Sequence, residues 1–265
     1  MCHVEEGVET FAALLRGPEA AIPLDEAALL IAVVARGSGE LAEGLTDLDV
    51  LAAEVPEPTL DGLRALLFRD LGFVGNAERY YEPANSYLDE VITRRTGIPI
   101  TLAVLMLEVG RRIGVPLAGV SMPGHFLVRD KVDPEVFVDP YGRGMLLDRA
   151  GCAARFHAVQ GPGSAFDDSF LEPVGKRSIL VRMLANLETV AAMEGDRDLL
   201  RRTLSLRAAL PDAGLVEHRK LAVALAVSGQ VLEAARVLET YAERDDAEGA
   251  VAARAAADQL RARLN

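Results

Sequence analysis

Cysteine is scarce in this sequence, with only Cys2 and Cys152 among 265 residues. Two thiols so far apart make no metal-binding signature, and the four histidines form no spaced cluster with them. We therefore predict no metal and no cofactor. A disulfide between the two is possible by count, but the cytoplasmic location predicted below argues against one.

Long apolar runs are absent as well. The longest, "ITLAVLML", has eight residues and ends at Glu108, whereas a membrane span needs about 18. The first residues, "MCHVEEGVET", lack the basic start and apolar core of a signal peptide. These absences favour a soluble cytoplasmic protein that does not associate with a membrane.

The sequence also has no excess of basic residues, no tryptophan and few aromatic residues. Lysine and arginine number 28 against 40 acidic residues, a net charge of −12, and aromatic residues make up 5% of the chain. An acidic surface repels nucleic acid, and the sequence has no basic stripe with interleaved aromatics. We therefore exclude nucleic acid as a partner.

Helical periodicity dominates both ends of the chain. Residues 1 to 75 contain apolar faces at i, i+3, i+4 spacing, and "TLDGLRALLFRDLG" predicts one helix that starts at Thr59. After Lys176, "MEGDRDLLRRTLSL" and "AVSGQVLEAARVLETY" repeat a helix–turn–helix layout. Their glycines, Gly195 and Gly229, are 34 residues apart, the period of tetratricopeptide repeats.

The centre of the chain combines one apolar helix with short strands. Pro99 suits the first turn of a helix that runs to about Ile113, and Asn85 or Ser86 is a candidate cap for the helix before it. "LAGVSM", "HFLVRD", "EVFVDP" and "GMLLD" predict an antiparallel sheet packed on the helix. The expected fold is α+β, divided into a helical region 1–75, a helix-on-sheet core 76–174 and a helical region 175–265.

A histidine and an aspartate stand on two of these strands. His125 is predicted to open one strand and Asp139 to close the next, 14 residues later, so their side chains can meet at one end of the sheet. An aspartate bonded to one imidazole nitrogen fixes the tautomer and leaves the other nitrogen available as a base. The alternative is a histidine and an aspartate that stand near turns for structural reasons only.

Three segments in order resemble a known family. "NSYLDEVITRRTGIPITLAVLMLEVGRRIGVPL", "PGHFLVR" and "VFVDPYGRG" resemble bacterial SirB-type proteins, which carry a transglutaminase-like domain followed by tetratricopeptide-like helices. The resemblance covers roughly residue 76 to the C-terminus, and an F-box protein of animals carries a related module. It implies a transglutaminase- or papain-like core in which a helix begins with a nucleophilic cysteine and a sheet carries histidine and aspartate.

His125 and Asp139 match the histidine and aspartate of that pattern, but the cysteine is not matched. Counting back from the helix stop at Gly114 places Pro99 at the cysteine position and Gly97 at an earlier glycine of the pattern. A shift of two residues would bring Thr101 to the site, although an unperturbed hydroxyl needs strong activation to act as a nucleophile.

Other residues are candidates for lining a cleft beside His125. They are Pro99, Ser121, Tyr81, Asn85 and Arg129. Asn85 has a competing interpretation as a helix cap with a structural role. Arg129 has a competing interpretation as an ordinary charged residue exposed to solvent.

Two functions follow from this reading. The first is a non-catalytic transglutaminase-like protein that keeps the histidine–aspartate pair, lacks the cysteine, and binds a protein or peptide partner. The alternative is a hydrolase or acyltransferase that uses Thr101 or Ser121 as nucleophile with His125 as general base. The sequence names neither the partner nor the oligomeric state.

Overall fold

The chain forms two compact units in a computed structural model that describes residues 2–244 and 249–262. The helical unit comprises Met1–Pro18, Val33–Ser38 and Leu184–Asn265, and the sheet unit comprises Glu19–Ala32 and Gly39–Met183. Two helices, Leu24–Arg36 and Lys176–Glu194, contribute residues to both units. The division into 1–75, 76–174 and 175–265 stays a prediction.

Twelve α-helices occur in the described part of the chain. They are α1 Cys2–Leu14, α2 Leu24–Arg36, α3 Leu41–Ala53, α4 Leu60–Arg64, α5 Leu88–Arg94, α6 Pro99–Arg112, α7 Arg149–Gln160, α8 Lys176–Glu194, α9 Arg197–Ala208, α10 Leu215–Val227, α11 Val231–Ala242 and α12 Ala250–Ala262. In the described ranges, no helix is both long and apolar enough to cross a membrane.

A five-stranded antiparallel sheet forms the second layer of the sheet unit, in the order β6-β5-β4-β3-β7. Its strands are β3 Leu117–Val120, β4 Leu127–Asp130, β5 Phe137–Asp139, β6 Met145–Leu147 and β7 Pro173–Val174. Two further short strands, β1 Val74–Gly75 and β2 Thr96–Gly97, pair in parallel. The prediction of helices with an antiparallel sheet is confirmed.

Helix α6 is the central element of the sheet unit and packs against β3 and β4. It is buried from Pro99 to Gly110, as expected for a helix covered on every side. Pro99 occupies its first turn, where a missing N–H removes no helical hydrogen bond. Gly114 follows the helix with φ +77°, a left-handed conformation that favours glycine. The predicted bounds of this helix are confirmed to within one residue.

The helical unit packs through small side chains. Its core contains alanines of α10, α11 and α12, which let these helices approach closely, together with larger residues such as Leu225 and Tyr241. Gly195 and Gly229 lie in the turns that follow α8 and α10, each with positive φ, so the predicted helix–turn–helix layout is present.

Three local predictions were wrong. "TLDGLRALLFRDLG" is not one regular helix, because Ala65–Asp70 winds as a π-helix in which Leu71 N–H bonds Leu66 O. Asn85 and Ser86 do not cap α5, whose N-cap is Tyr87. His125 lies in the turn before β4 and not in the strand.

Candidate functional site

His125 and Asp139 lie at the same end of two paired strands. Val128 pairs with Val138 in the antiparallel ladder between β4 and β5, so the chain just before β4 lies beside the end of β5. The turn that carries His125 is closed by a hydrogen bond of 3.1 Å from His125 N–H to Met122 O. Strand pairing therefore sets the pair's position, as the sequence indicated.

The two side chains form a buried hydrogen bond. His125 Nε2 lies 2.9 Å from Asp139 Oδ1, and the residues are 3% and 0% exposed. The other ring nitrogen, Nδ1, has no hydrogen-bond partner in the described part of the chain. An imidazole held in this way presents Nδ1 as its available donor or acceptor.

Asp139 is fixed by two further groups. Gly142 N–H donates to Oδ1 at 3.0 Å, and the Arg155 guanidinium lies 2.8 Å from Oδ2 in an ion pair without hydrogen-bond alignment. Burial alone would raise the pKa of Asp139. This effect of burial is outweighed by the hydrogen bond and charge of His125, by the Gly142 N–H and by the charge of Arg155. The pKa of Asp139 therefore lies below its usual value. The carboxylate is thus held in its ionised form.

Arg182, on α8, holds the turn that carries His125. Its Nη1 donates to Ser121 Oγ at 2.7 Å and to Met122 O at 2.9 Å, and its Nη2 donates to His125 O at 2.9 Å. The guanidinium also lies over the Phe126 ring, 5.5 Å from its centroid. One planar, forked donor therefore fixes residues 121–125 from one side.

Aromatic rings extend the site away from Asp139. The Tyr141 ring meets the His125 ring edge-on at 5.9 Å between centroids, and Tyr80 meets Tyr141 at 6.2 Å and Tyr81 at 5.2 Å. The Tyr141 ring lies on the backbone of Gly75, where a Cβ would come within 2.2 Å of it, so only glycine permits this contact. Tyr81 is half exposed.

The remaining predicted polar residues near the start of α6 are engaged elsewhere. Thr101 is fully buried, and its hydroxyl donates to Asn85 O at 2.7 Å. The Asn85 amide donates to Arg79 O and Tyr80 O and accepts from Asn76. Asn85 therefore ties the tyrosine-bearing loop to the start of α6.

Comparison with known protein families supports the transglutaminase-like resemblance. The profile described as transglutaminase-like superfamily matches residues 33–185, more than half of the chain. The chain belongs to the transglutaminase-like superfamily. No solved structure matches it.

Curated relatives of this superfamily member come from bacteria and animals. A UPF0162 protein of Xylella fastidiosa is 46% identical over 155 residues, which is 55% of this chain and 55% of that protein. A UPF0162 protein of Pseudomonas aeruginosa is 31% identical over 181 residues, 65% of this chain and 66% of the relative. F-box only protein 21 of Mus musculus is 33% identical over 176 residues, 62% of this chain and 27% of the relative. The chain thus spans about half the length of the Xylella relative and about a quarter of the mouse protein.

Cys152, a free cysteine of this transglutaminase-like chain, is buried in α7. Burial, with a smaller contribution from the charges of Asp148 and Asp139, raises the pKa of this thiol to about 12. Cys2 is in α1, and its side chain lies outside the described residues.

Arg129 is at the far end of β4 from His125. Its Nε donates to Pro134 O at 2.7 Å, and its guanidinium lies over the Phe137 ring at 5.3 Å. These contacts fold Arg129 onto the β4–β5 turn. In the described ranges, no group of three or more histidine, cysteine or acidic residues is arranged to hold a metal ion.

Sequence reasoning missed three residues that shape the site, namely Tyr141, Arg155 and Arg182. Tyr141 could have been found, because it stands two residues after Asp139 in "VDPYG". Arg155 contacts Asp139 from α7, and Arg182 contacts the turn before β4 from α8. A single sequence contains no local pattern that predicts contacts between distant elements.

Proposed function

We propose that this chain is a non-catalytic, SirB-type member of the transglutaminase-like superfamily that binds a protein or peptide partner in the cytoplasm. One observation carries the proposal. Pro99, which has no nucleophilic atom, opens α6 at the position that helix-length counting assigns to a nucleophile, while the His125–Asp139 pair is complete.

The hydrogen bonds of Thr101 and Ser121 support the non-catalytic reading over a hydrolase or acyltransferase. Thr101 is fully buried with its proton donated to Asn85 O, and Ser121 accepts from Arg182. A hydroxyl nucleophile needs a hydrogen bond to its base, about 2.6–3.2 Å long. No such bond joins either hydroxyl to His125 in the described part of the chain.

The retained pair suits recognition. His125 Nδ1 offers a hydrogen-bonding position that Asp139 orients, and the half-exposed Tyr81 adds apolar area with a polar end. Pro99 and Asn85 are buried, so they would support such a cleft from behind its surface. The contacts of Arg129 with the β4–β5 turn do not favour its predicted place in the cleft.

The helices after residue 195 support the partner-binding part of the proposal. Helices α9, α10, α11 and α12 pack each against the next, and α10 and α11 are joined by the turn at Gly229. A tetratricopeptide-like region would have this arrangement. Such stacked helices present extended binding surfaces.

Activity-based probes test the non-catalytic half. The full chain and its His125→Ala variant are treated with fluorophosphonate and acyl-transfer probes, and labelled residues are located by mass spectrometry. We expect no labelling that depends on His125. Labelling of Thr101 or Ser121 that His125→Ala abolishes would instead establish an enzyme.

Affinity capture from native cells tests the binding half. The wild-type chain and a Tyr81→Ala variant are used as bait, with Val132→Ser, on the β4–β5 turn, as a matched exposed-residue control. We expect a partner that wild type and the control retain and that Tyr81→Ala reduces. Equal capture by all three baits would remove the cleft from the proposal.

A further inference from the structure

The outer surface of α10 carries an apolar ridge. Val216, Val223 and Val227 are 63%, 63% and 61% exposed, and their spacing of seven and four residues places them on one side of the helix. We call these three residues the valine ridge. The opposite side of α10 buries Leu221 and Leu225 in the core of the helical unit.

Local structure does not explain the valine ridge. Valine is a mediocre helix former because its branched side chain loses rotamer freedom, so neither helix stability nor solubility favours three exposed valines. A contiguous exposed apolar surface commonly marks an interaction site.

Grooves flank the ridge on both sides within the helical unit. One is lined by Leu200 and Leu204 of α9 together with Ala224, and the other by Ala256 and Leu260 of α12. A docked helix with its side chains is about 10 Å wide, and its apolar side chains at helical spacing fit into apolar grooves of this kind.

The charges around the first groove are mainly positive. Arg197, Arg219 and Lys220 line it, against the single carboxylate of Glu188. Lys220 Nζ lies 2.6 Å from Glu188 Oε1, which neutralises both groups. Arg197 and Arg219 make no ion pair within residues 4–244 and 249–262, so two cations remain available on a chain whose net charge is −12.

We propose that the valine ridge binds an acidic amphipathic helix of a partner protein. This inference rests on the proposed binding function and names the chemistry of the partner. Apolar side chains of the partner helix fill the grooves beside the ridge, and its carboxylates pair with Arg197 and Arg219. Charge complementarity of this kind also speeds association and rejects basic competitors.

Charge also argues against two other occupants of this surface, a second copy of the chain and an anionic membrane. Two copies joined symmetrically through this face would bring the same unpaired arginines together, since a two-fold contact uses one patch on both copies. An anionic membrane would repel a chain of net charge −12.

Peptide selection against the full chain tests the proposal. A phage-displayed random library of peptides about 16 residues long, enough for four helical turns, is selected on wild type. The strongest peptide is then synthesised, and its Kd is measured by fluorescence anisotropy. Val223→Ser and Arg219→Glu probe the surface, and Val251→Ser is the matched control, because Val251 is an 80% exposed helical valine that lines neither groove.

We expect selected peptides with net negative charge and apolar residues at helical spacing. Val223→Ser and Arg219→Glu should each raise Kd about tenfold or more, the effect of losing a central contact, while Val251→Ser leaves Kd unchanged. Selection of neutral or basic peptides, no selected peptide at all, or equal Kd for Val223→Ser and Val251→Ser overturns the proposal. A dimer in sedimentation that Val223→Ser dissociates also overturns it, because the occupant is then a second copy.

Failure of the valine-ridge inference can be distinguished from failure of the proposed binding function. Peptides that bind with Kd unchanged by Val223→Ser but raised by Tyr81→Ala would place binding in the cleft, which keeps the proposed function and removes the ridge.

Discussion

Single residues around the start of α6 are held by bonds to the backbone. The Thr101 hydroxyl donates to Asn85 O, which also accepts from Ile98 N–H at 3.3 Å. Asn85 in turn holds the carbonyls of Arg79 and Tyr80. A polar chain thus runs from the helix to the tyrosine-bearing loop, and each member is used for structure.

Replacing Thr101 with valine tests this structural role. Thr101→Val keeps the shape but removes the donor, which leaves Asn85 O with a weaker set of partners in a buried place. We expect the free energy of unfolding to fall by about 1–2 kcal/mol, measured by urea denaturation.

Thr101→Ser is the matched control, because it keeps the hydroxyl and loses one methyl group. It should cost about 1 kcal/mol, as the deletion of one buried methyl group does, and should retain the hydrogen exchange protection of the Leu102 amide, which donates to Ile98 O. Equal losses of protection in both variants would show that the hydrogen bond is not what orders this region.

At the scale of elements, α8 fixes the turn before β4 through one side chain. Arg182 satisfies three acceptors on residues 121–125, and burial lowers its pKa while the nearby Tyr80 works in the opposite direction. The arginine stays protonated because a guanidinium loses its proton only in strongly basic solution.

Removal of the guanidinium should loosen the turn. Arg182→Met removes the only side-chain donor to Ser121 Oγ and His125 O among the described residues, and it leaves Met122 O with the His125 N–H alone. We expect a loss of about 2–3 kcal/mol in the free energy of unfolding. The His125 ring resonances should broaden in NMR spectra, since the turn no longer holds one conformation.

Arg182→Lys should restore part of the stability but not the sharp His125 signals, because an ammonium group lacks the planar fork. Sharp, unshifted His125 signals in both variants would contradict the positioning role.

Elements of ordinary length could be predicted from the sequence, and the shortest could not. Helix α6 and strands β3 to β6 follow from apolar periodicity and from Gly and Pro at their ends. Strands β1, β2 and β7 have two residues each, too few to show a period. The contacts of Arg155 and Arg182 depend on how separate helices pack, which no local pattern encodes.

At the scale of the whole molecule, two buried carboxylates respond to pH in opposite directions. The pKa of Asp139 is lowered, so its contribution to stability is present above its usual value of 3.8 and is lost as the pH falls through the folded-state value. Burial raises the pKa of Glu108 above 4.5, and Asp25 adds to this, although Arg111 and Arg112 oppose it. Ionising Glu108 therefore costs stability as the pH rises from 4.5 through its folded-state value.

Glu108→Gln should remove that cost. We expect the free energy of unfolding of the wild type, relative to the variant, to decrease as the pH rises from about 4 to 7, measured by urea denaturation at several pH values. Asp139→Asn should change the profile in the acid range only, below 3.8. Profiles parallel to the wild type in both variants would show that neither carboxylate titrates differently in the folded state.

The central claim is that Pro99 stands where a nucleophile would face the His125–Asp139 pair. Alkylation of a Pro99→Cys variant with iodoacetamide, in a Cys2→Ser background and read by mass spectrometry, tests it most directly. The buried Cys152 serves as an internal unreactive thiol because of its pKa of about 12. We predict that the new thiol titrates below the ordinary value of about 8.5 and reacts about tenfold faster at neutral pH than when His125→Ala is added. An ordinary pKa, or a rate unchanged by His125→Ala, would contradict the account.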